Sequence, residues 1–179
     1  MIVGVKGSKM NKSEHCKEVY AYFGLAIYNA QCVESSIIQM LIFCDLYEKE
    51  AKKNQSQTKW ETKFDEFDQQ LSAKTMGRLI GHLKSLNVIN SDTEGLLAIA
   101  LKKRNFLAHQ YFPERARDFV NHLGREKMIT ELSEMVDFFD KIQNILNPLT
   151  MKIAEKYGLT EQIVEEIVAK EKEFAQFDL

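Results

Sequence analysis

Apolar side chains recur early in the chain at Val19, Tyr22, Phe23, Ala26, Ala30, Val33, Ile37, Met40, Leu41 and Cys44. Steps of three and four keep one helical face apolar, so this spacing predicts a helix. Asn11 and Glu14 precede it at capping-box spacing. The pattern carries to about residue 50, which at 1.5 Å per residue makes roughly 55 Å of helix. Such length suits a dimerisation rail. Residues 1–10 hold Gly4 and Gly7 but no periodic apolar positions, and they read as a flexible arm.

Ala51 to Thr58 is polar and aperiodic, which predicts a loop before a helix on Trp60, Phe64, Phe67 and Leu71. Thr75 can cap a short helix bearing Met76, Leu79, Ile80, Leu83 and Leu86, ending near Asn87 to Asn90. Ser91 and Glu94 form a second capping box, ahead of Leu96, Leu97, Ala100, Leu101 and Leu107. Because Pro113 disfavours helical geometry at Phe112, this helix is expected over about residues 91–111. Pro113 can open the next helix, with Gly124 as a possible break. A long helix follows from Ile129 to Ile153, with a kink expected at Pro148 and a stop at Gly158; Thr160 then caps a last helix on Ile163, Val164, Ile167, Val168 and Phe174.

These elements predict an all-α, up-and-down helical bundle with a long first helix, formed by residues 11–179 as a single domain. Composition agrees, since two prolines and eight glycines in 179 residues are too few for the turns of a β-sandwich or barrel. No apolar run approaches the roughly 20 residues of a membrane-crossing helix. The apolar start, Met1 to Val5, is short for a signal-peptide core. A cytoplasmic protein is expected, with Cys16, Cys32 and Cys44 reduced.

The formal charge of −2 excludes a polyanion binder working through overall charge, so any nucleic-acid contact must be local. Lys102, Lys103, Arg104, Arg115, Arg117, Arg125 and Lys127 supply a local basic excess against Glu114, Asp118 and Glu126, whereas the chain from Glu131 onward is acidic. A phosphodiester would be drawn to the basic stretch.

Within that stretch the chain reads Arg104, Asn105, three residues, His109, one residue, Tyr111. This resembles the HEPN superfamily, whose members carry an Arg, four to six residues and a His, usually with a polar residue after the Arg. The added Tyr111 resembles the HEPN toxins paired with a minimal nucleotidyltransferase antitoxin. The likeness is sharp over about residues 95–115 and architectural elsewhere. It implies a homodimer that binds RNA and cleaves it without metal at a cleft between protomers, with a toxin or anti-phage role and possible nucleotidylation of Tyr111. A non-catalytic HEPN module binding nucleic acid or a protein partner is the alternative. Arg117, Asp118 and His122 repeat the bare Arg-to-His spacing, but on a helix that Gly124 is expected to interrupt, and are read as a chance match.

Chemistry fits those roles. A 2′-hydroxyl must lose a proton as it attacks phosphorus, and an imidazole such as His109 accepts one near neutrality. Arg104 offers a permanent forked donor to the crowded transition-state oxygens, and Asn105 can orient either group. Lys102, Lys103, Arg115 and Tyr111 are the expected substrate contacts. No cofactor or metal site is expected: His15, His82, His109 and His122 stand apart in sequence, with no Cys-x-x-Cys pair.

On an ideal helix Arg104 and His109 point about 140° apart, and Asn105 and His109 only about 40° apart. Two motif helices facing across a twofold axis bring both groups to one point, which makes the homodimer part of the hypothesis. Plainer roles exist for each residue. Arg104 can pair with an acid, His109 can bond the last carbonyls of its helix, and Tyr111 can be packing. Glu34, which interrupts the apolar run of the first helix, can hold Arg104 or His109 or simply face solvent.

Overall fold

Apolar side chains spaced by three and four are realised as helix from Lys12 onward. In the computed structural model, which describes residues 12–53 and 56–177, α1 spans Lys12–Leu41 and passes into a π-helical turn, Ile42–Tyr47, and a last α-turn, α2, Glu48–Glu50. Then follow α3 (Gln57–Ser72), α4 (Met76–Ser85), α5 (Ser91–His109), α6 (Tyr111–Phe119), α7 (His122–Ala154) and α8 (Glu161–Phe177). The described residues contain no strand, and the chain is an all-α helical bundle with a long first helix. The arm expected over residues 1–10 and the Asn11 cap lie outside the described residues.

Side-chain chemistry sets the starts of α3, α5, α7 and α8. Ser56 Oγ accepts from Lys59 N and starts α3. Thr75 occupies the N-cap of α4 but makes no side-chain capping bond. Asn90, one residue before the expected cap at Ser91, holds the start of α5, because its Oδ1 accepts from Thr93 N at 2.8 Å. Gly158 ends the 3-10 turn after α7 with φ at +87°, a conformation that a Cβ penalises. Thr160 Oγ1 accepts from Ile163 N and caps α8. Gly124 is not a break: α7 starts two residues before it, with Asn121 Oδ1 accepting from Gly124 N at 2.7 Å. Pro148 lies inside α7, which continues to Ala154.

The chain forms two compact units, one of residues 12–31 and Ile99–Asp140, the other of Cys32–Ala98 and residues 141–177. The first buries Val19, Ala26 and Ala30 of α1, Ala100 and Leu107 of α5, Tyr111 of α6, and Met128, Leu132, Met135 and Phe139 of α7. Burying each large apolar side chain contributes roughly 1.5–3 kcal/mol before the entropic cost of ordering it. Asn29 Nδ2 donates to Asp140 Oδ1 at 2.7 Å, which satisfies a polar group inside this unit.

The second unit buries Val33, Ile37, Met40 and Leu41 of α1 with Leu71, Met76, Leu79, Leu83, Leu97, Ile142 and Leu146. Asp45 is also buried, on the π-helical turn. His82 Nε2 lies 2.8 Å from Asp45 Oδ2 and Lys49 pairs with the other carboxylate oxygen, so each oxygen of the buried carboxylate has a partner.

Candidate functional site at the end of α5

The junction of α5 and α6 begins with a proline that cannot donate. In a continuous helix the residue at 113 would donate to the His109 carbonyl; Pro113 has no N–H, so that bond cannot form. Gln110 N still donates to Phe106 O, and Glu114 N donates to Gln110 O, so the two helices meet at Gln110. Gln110 takes φ −128° and ψ −20°, which redirects the chain there. The break falls two residues earlier than the boundary expected at 111.

His109, the last residue of α5, is exposed, as is Asn105 one turn before it. Arg104 is partly exposed, and its Nη1 donates to Asn105 Oδ1 at 3.4 Å. Asn105 thereby connects the guanidinium to the helical edge that bears His109. Lys102 is exposed. Lys103 is partly buried, its Nζ 5.4 Å from the centre of the Phe138 ring, a cation-π distance. Glu34 is partly buried on α1.

Tyr111 departs from its expected place beside a substrate. It is 0% exposed, and its hydroxyl donates to Met128 O at 3.2 Å. Phe23, Phe106 and Phe112 surround the ring with centroids 5.6–5.7 Å away. An unbroken helix would stack Tyr111 over Arg104; the turn at Gln110 drives it inward instead. Burial, and then the nearby Glu131 carboxylate, push the phenol above its ordinary value. It therefore stays protonated and enclosed, and nucleotidyl transfer to its oxygen would require α6 to lift away.

Arg115, partly exposed, is held against its neighbours. Its Nε and Nη2 donate to the two oxygens of Glu131 at 2.8 and 2.7 Å. The guanidinium lies 5.4 Å from the centre of the Phe106 ring and 5.9 Å from that of Tyr111. The hydrogen bonds to Glu131 raise its pKa further above the ordinary range. Such a bidentate, ring-stacked arginine ties α6 to α7 while part of its side chain stays exposed.

Three arrangements were not legible in the sequence. The rings of His15 and His122 approach to 4.5 Å although 107 positions separate them in the chain. Arg125, counted with the basic surface, is 3% exposed and donates from Nη1 to Phe119 O at 2.9 Å, closing the end of α6. The Asp45–His82 pair joins two helices, and its one sequence signal is a carboxylate set inside the apolar run Leu41 to Leu46. Among the described residues, no group of three or more His, Cys, Asp or Glu side chains is placed to hold a metal ion. None of the helices described is long and apolar enough to cross a membrane. Compared with models of known families, with curated proteins and with solved structures, the chain matches none of them.

Proposed function

We propose that this chain is a HEPN-type RNA-binding protein and a metal-independent endoribonuclease whose active site is completed by a second copy. The observation that carries this reading is the exposure of His109 and Asn105 on one edge of α5, with Arg104 hydrogen-bonded to Asn105. An imidazole that accepts the 2′-hydroxyl proton must be open to the surface, and His109 is exposed. In the proposed reaction that oxygen attacks the adjacent phosphorus and forms a 2′,3′-cyclic phosphate. The bond to the 5′-oxygen breaks, and the partner's His109 protonates the leaving oxygen. Arg104 neutralises charge developing on the non-bridging oxygens. Proton transfer and charge neutralisation both come from side chains, so the reading needs no metal.

Incubating purified protein with total RNA in EDTA, beside His109→Ala and Arg104→Ala, tests the assignment. Cleavage by the unaltered chain and its loss in both variants is expected, and cleavage persisting in both would sink it. The non-catalytic alternative draws on Tyr111 and Arg115, two expected substrate contacts whose polar groups are hydrogen-bonded to Met128 and Glu131. RNA left intact but bound better by the unaltered chain than by the variants would decide for that alternative. A nucleotidyltransferase-type antitoxin as a protein partner follows from the resemblance alone.

A further inference from the structure

The outer face of α1 is uncharged over about three turns. From Tyr20 to Gln31 every exposed residue of the helix is neutral: Tyr20, Ala21, Gly24, Leu25, Tyr28 and Gln31. Tyr20, Leu25 and Tyr28 keep 54, 45 and 61% of their surface open. A helix face turned to water ordinarily carries charged and polar side chains, whereas aromatic and apolar groups gathered on one exposed side mark a contact surface. Gly24 lies at the centre of this face, with nothing within 4 Å of where a Cβ would stand. Gly81 is equally open, so what sets Gly24 apart is its place. A bare stretch of backbone with a tyrosine one turn away on either side lets another helix approach closely.

The arrangement of the face indicates its occupant. Tyr20 and Tyr28 stand four residues before and after Gly24, and at 100° per residue each lies about 40° from it around the helix. A second α1 running antiparallel, with a twofold axis at Gly24, sets Tyr20 level with the partner's Tyr28, Gly24 against the partner's Gly24, and Lys17 level with the partner's Gln31. This is the self-complementary contact of an isologous dimer. Between Lys12 and Ser36 one like-charged match arises, Glu14 with the partner's Glu34, ten residues from the axis. It falls about 15 Å away and on opposite flanks of the pair. An occupant of strong charge finds no counter-charge on this face of α1. The face also borders the candidate site, because the Tyr20 ring lies 5.8 Å and the Phe23 ring 4.8 Å from that of Phe112, three residues after His109.

We infer that a second copy of this chain docks antiparallel on this face of α1, about Gly24, and so brings two α5–α6 junctions to one interface. The inference rests on the two-copy ribonuclease reading, for which it supplies the surface.

Analytical ultracentrifugation of the full chain beside Gly24→Arg tests it. The unaltered chain is expected to be a dimer at about 100 µM. G24R should weaken that dimer at least about tenfold, because a side chain on a twofold axis meets its own copy and two guanidinium groups would face each other. The variant should keep its helical circular dichroism, since a Cβ there meets nothing within 4 Å and Arg forms helix better than Gly. Gly24→Cys should give a covalent dimer on mild oxidation beyond the level of the unaltered chain. Gln31→Cys should not, being about 10 Å from the axis in each copy. RNA cleavage should fall together with the dimer in G24R, whereas His109→Ala should lose cleavage and stay dimeric, which separates failure of the contact from failure of the chemistry. A monomer at this concentration overturns the inference, also where that monomer binds phosphatidylcholine vesicles. So does a dimer that G24R leaves intact, or cross-linking of Q31C as strong as that of G24C.

Discussion

Tyr111 donates its phenolic hydroxyl to the main-chain carbonyl of Met128 across 3.2 Å, while His109, two residues earlier, stands exposed. The turn at Gln110 separates the two, so one short motif serves two purposes. Its first part, through His109, faces outward, and its last residue fastens α6 to α7.

Removing only that oxygen, in Tyr111→Phe, is expected to cost about 1 kcal/mol, the usual net contribution of one buried hydrogen bond. Burial raises the Tyr111 phenol, and burial with the Glu48 hydrogen bond raises Tyr157 to about 12. A raised phenol favours the folded state below the ordinary tyrosine value near 10, and this contribution is lost as pH climbs through the folded-state value. Urea unfolding between pH 9 and 11 should therefore show stability falling with pH. Y111F should flatten part of the fall and Tyr157→Phe another part. A slope untouched by both substitutions would contradict the assignment.

Arg115 and Glu131 should behave as a coupled pair. In a double-mutant cycle using Arg115→Ala and Glu131→Ala, the expected coupling is about 1 kcal/mol, since the pair is bidentate but partly exposed. Arg115→Lys should recover little, because an ammonium cannot make both parallel bonds or stack on Phe106. Additivity of the two single changes would show that the pair adds nothing to stability.

Gly124 and Gly81 make opposite predictions. A Cβ on Gly124 would fall 2.1 Å from the carbonyl oxygen of Asp118 and 2.4 Å from its Cα, both backbone atoms that cannot swing aside. Gly124→Ala is expected to destabilise by about 3 kcal/mol or more, within the range of severe overpacking. Gly81 lies inside α4 with nothing within 4 Å of such an atom, and Gly81→Ala should stabilise by up to about 1 kcal/mol. Thermal melts of both proteins check the contrast.

His82 holds a buried carboxylate. Replacing it in His82→Leu leaves Asp45 with Lys49 as its ion-pair partner, at an expected cost of about 2–3 kcal/mol. Removing both members, in Asp45→Leu with His82→Leu, should be milder than H82L alone, because no buried carboxylate oxygen is left without its partner. Chemical denaturation of the three proteins decides; a double variant less stable than H82L would refute this account.

Periodicity revealed the helices because most of them bury a face along their own length, and α8, whose stripe stays exposed, keeps the same spacing. α1 from Val19 to Leu41, the stop at Gly158 and the Thr160 cap are all written in neighbouring residues, whereas α3 starts at Gln57, inside the stretch to Thr58 expected as loop. Even the misplaced cap at Ser91 was one residue from Asn90. Candidate chemistry was legible to the same extent: Arg104, Asn105 and His109 could be named, and their positions around α5 follow from helical pitch.

What Tyr111, Arg115 and Arg125 do could not be read in this way. Sequence alone determined that this chain is helical, where most helices begin and end, and which polar groups crowd the end of α5. Tertiary structure alone decided that Tyr111 turns inward, that Arg115 meets Glu131, that His15 meets His122, and that Asp45 meets His82. Helical propensity and capping act over a few bonds, whereas the direction of a side chain beyond a break, and its partner from a distant helix, depend on how separate helices pack.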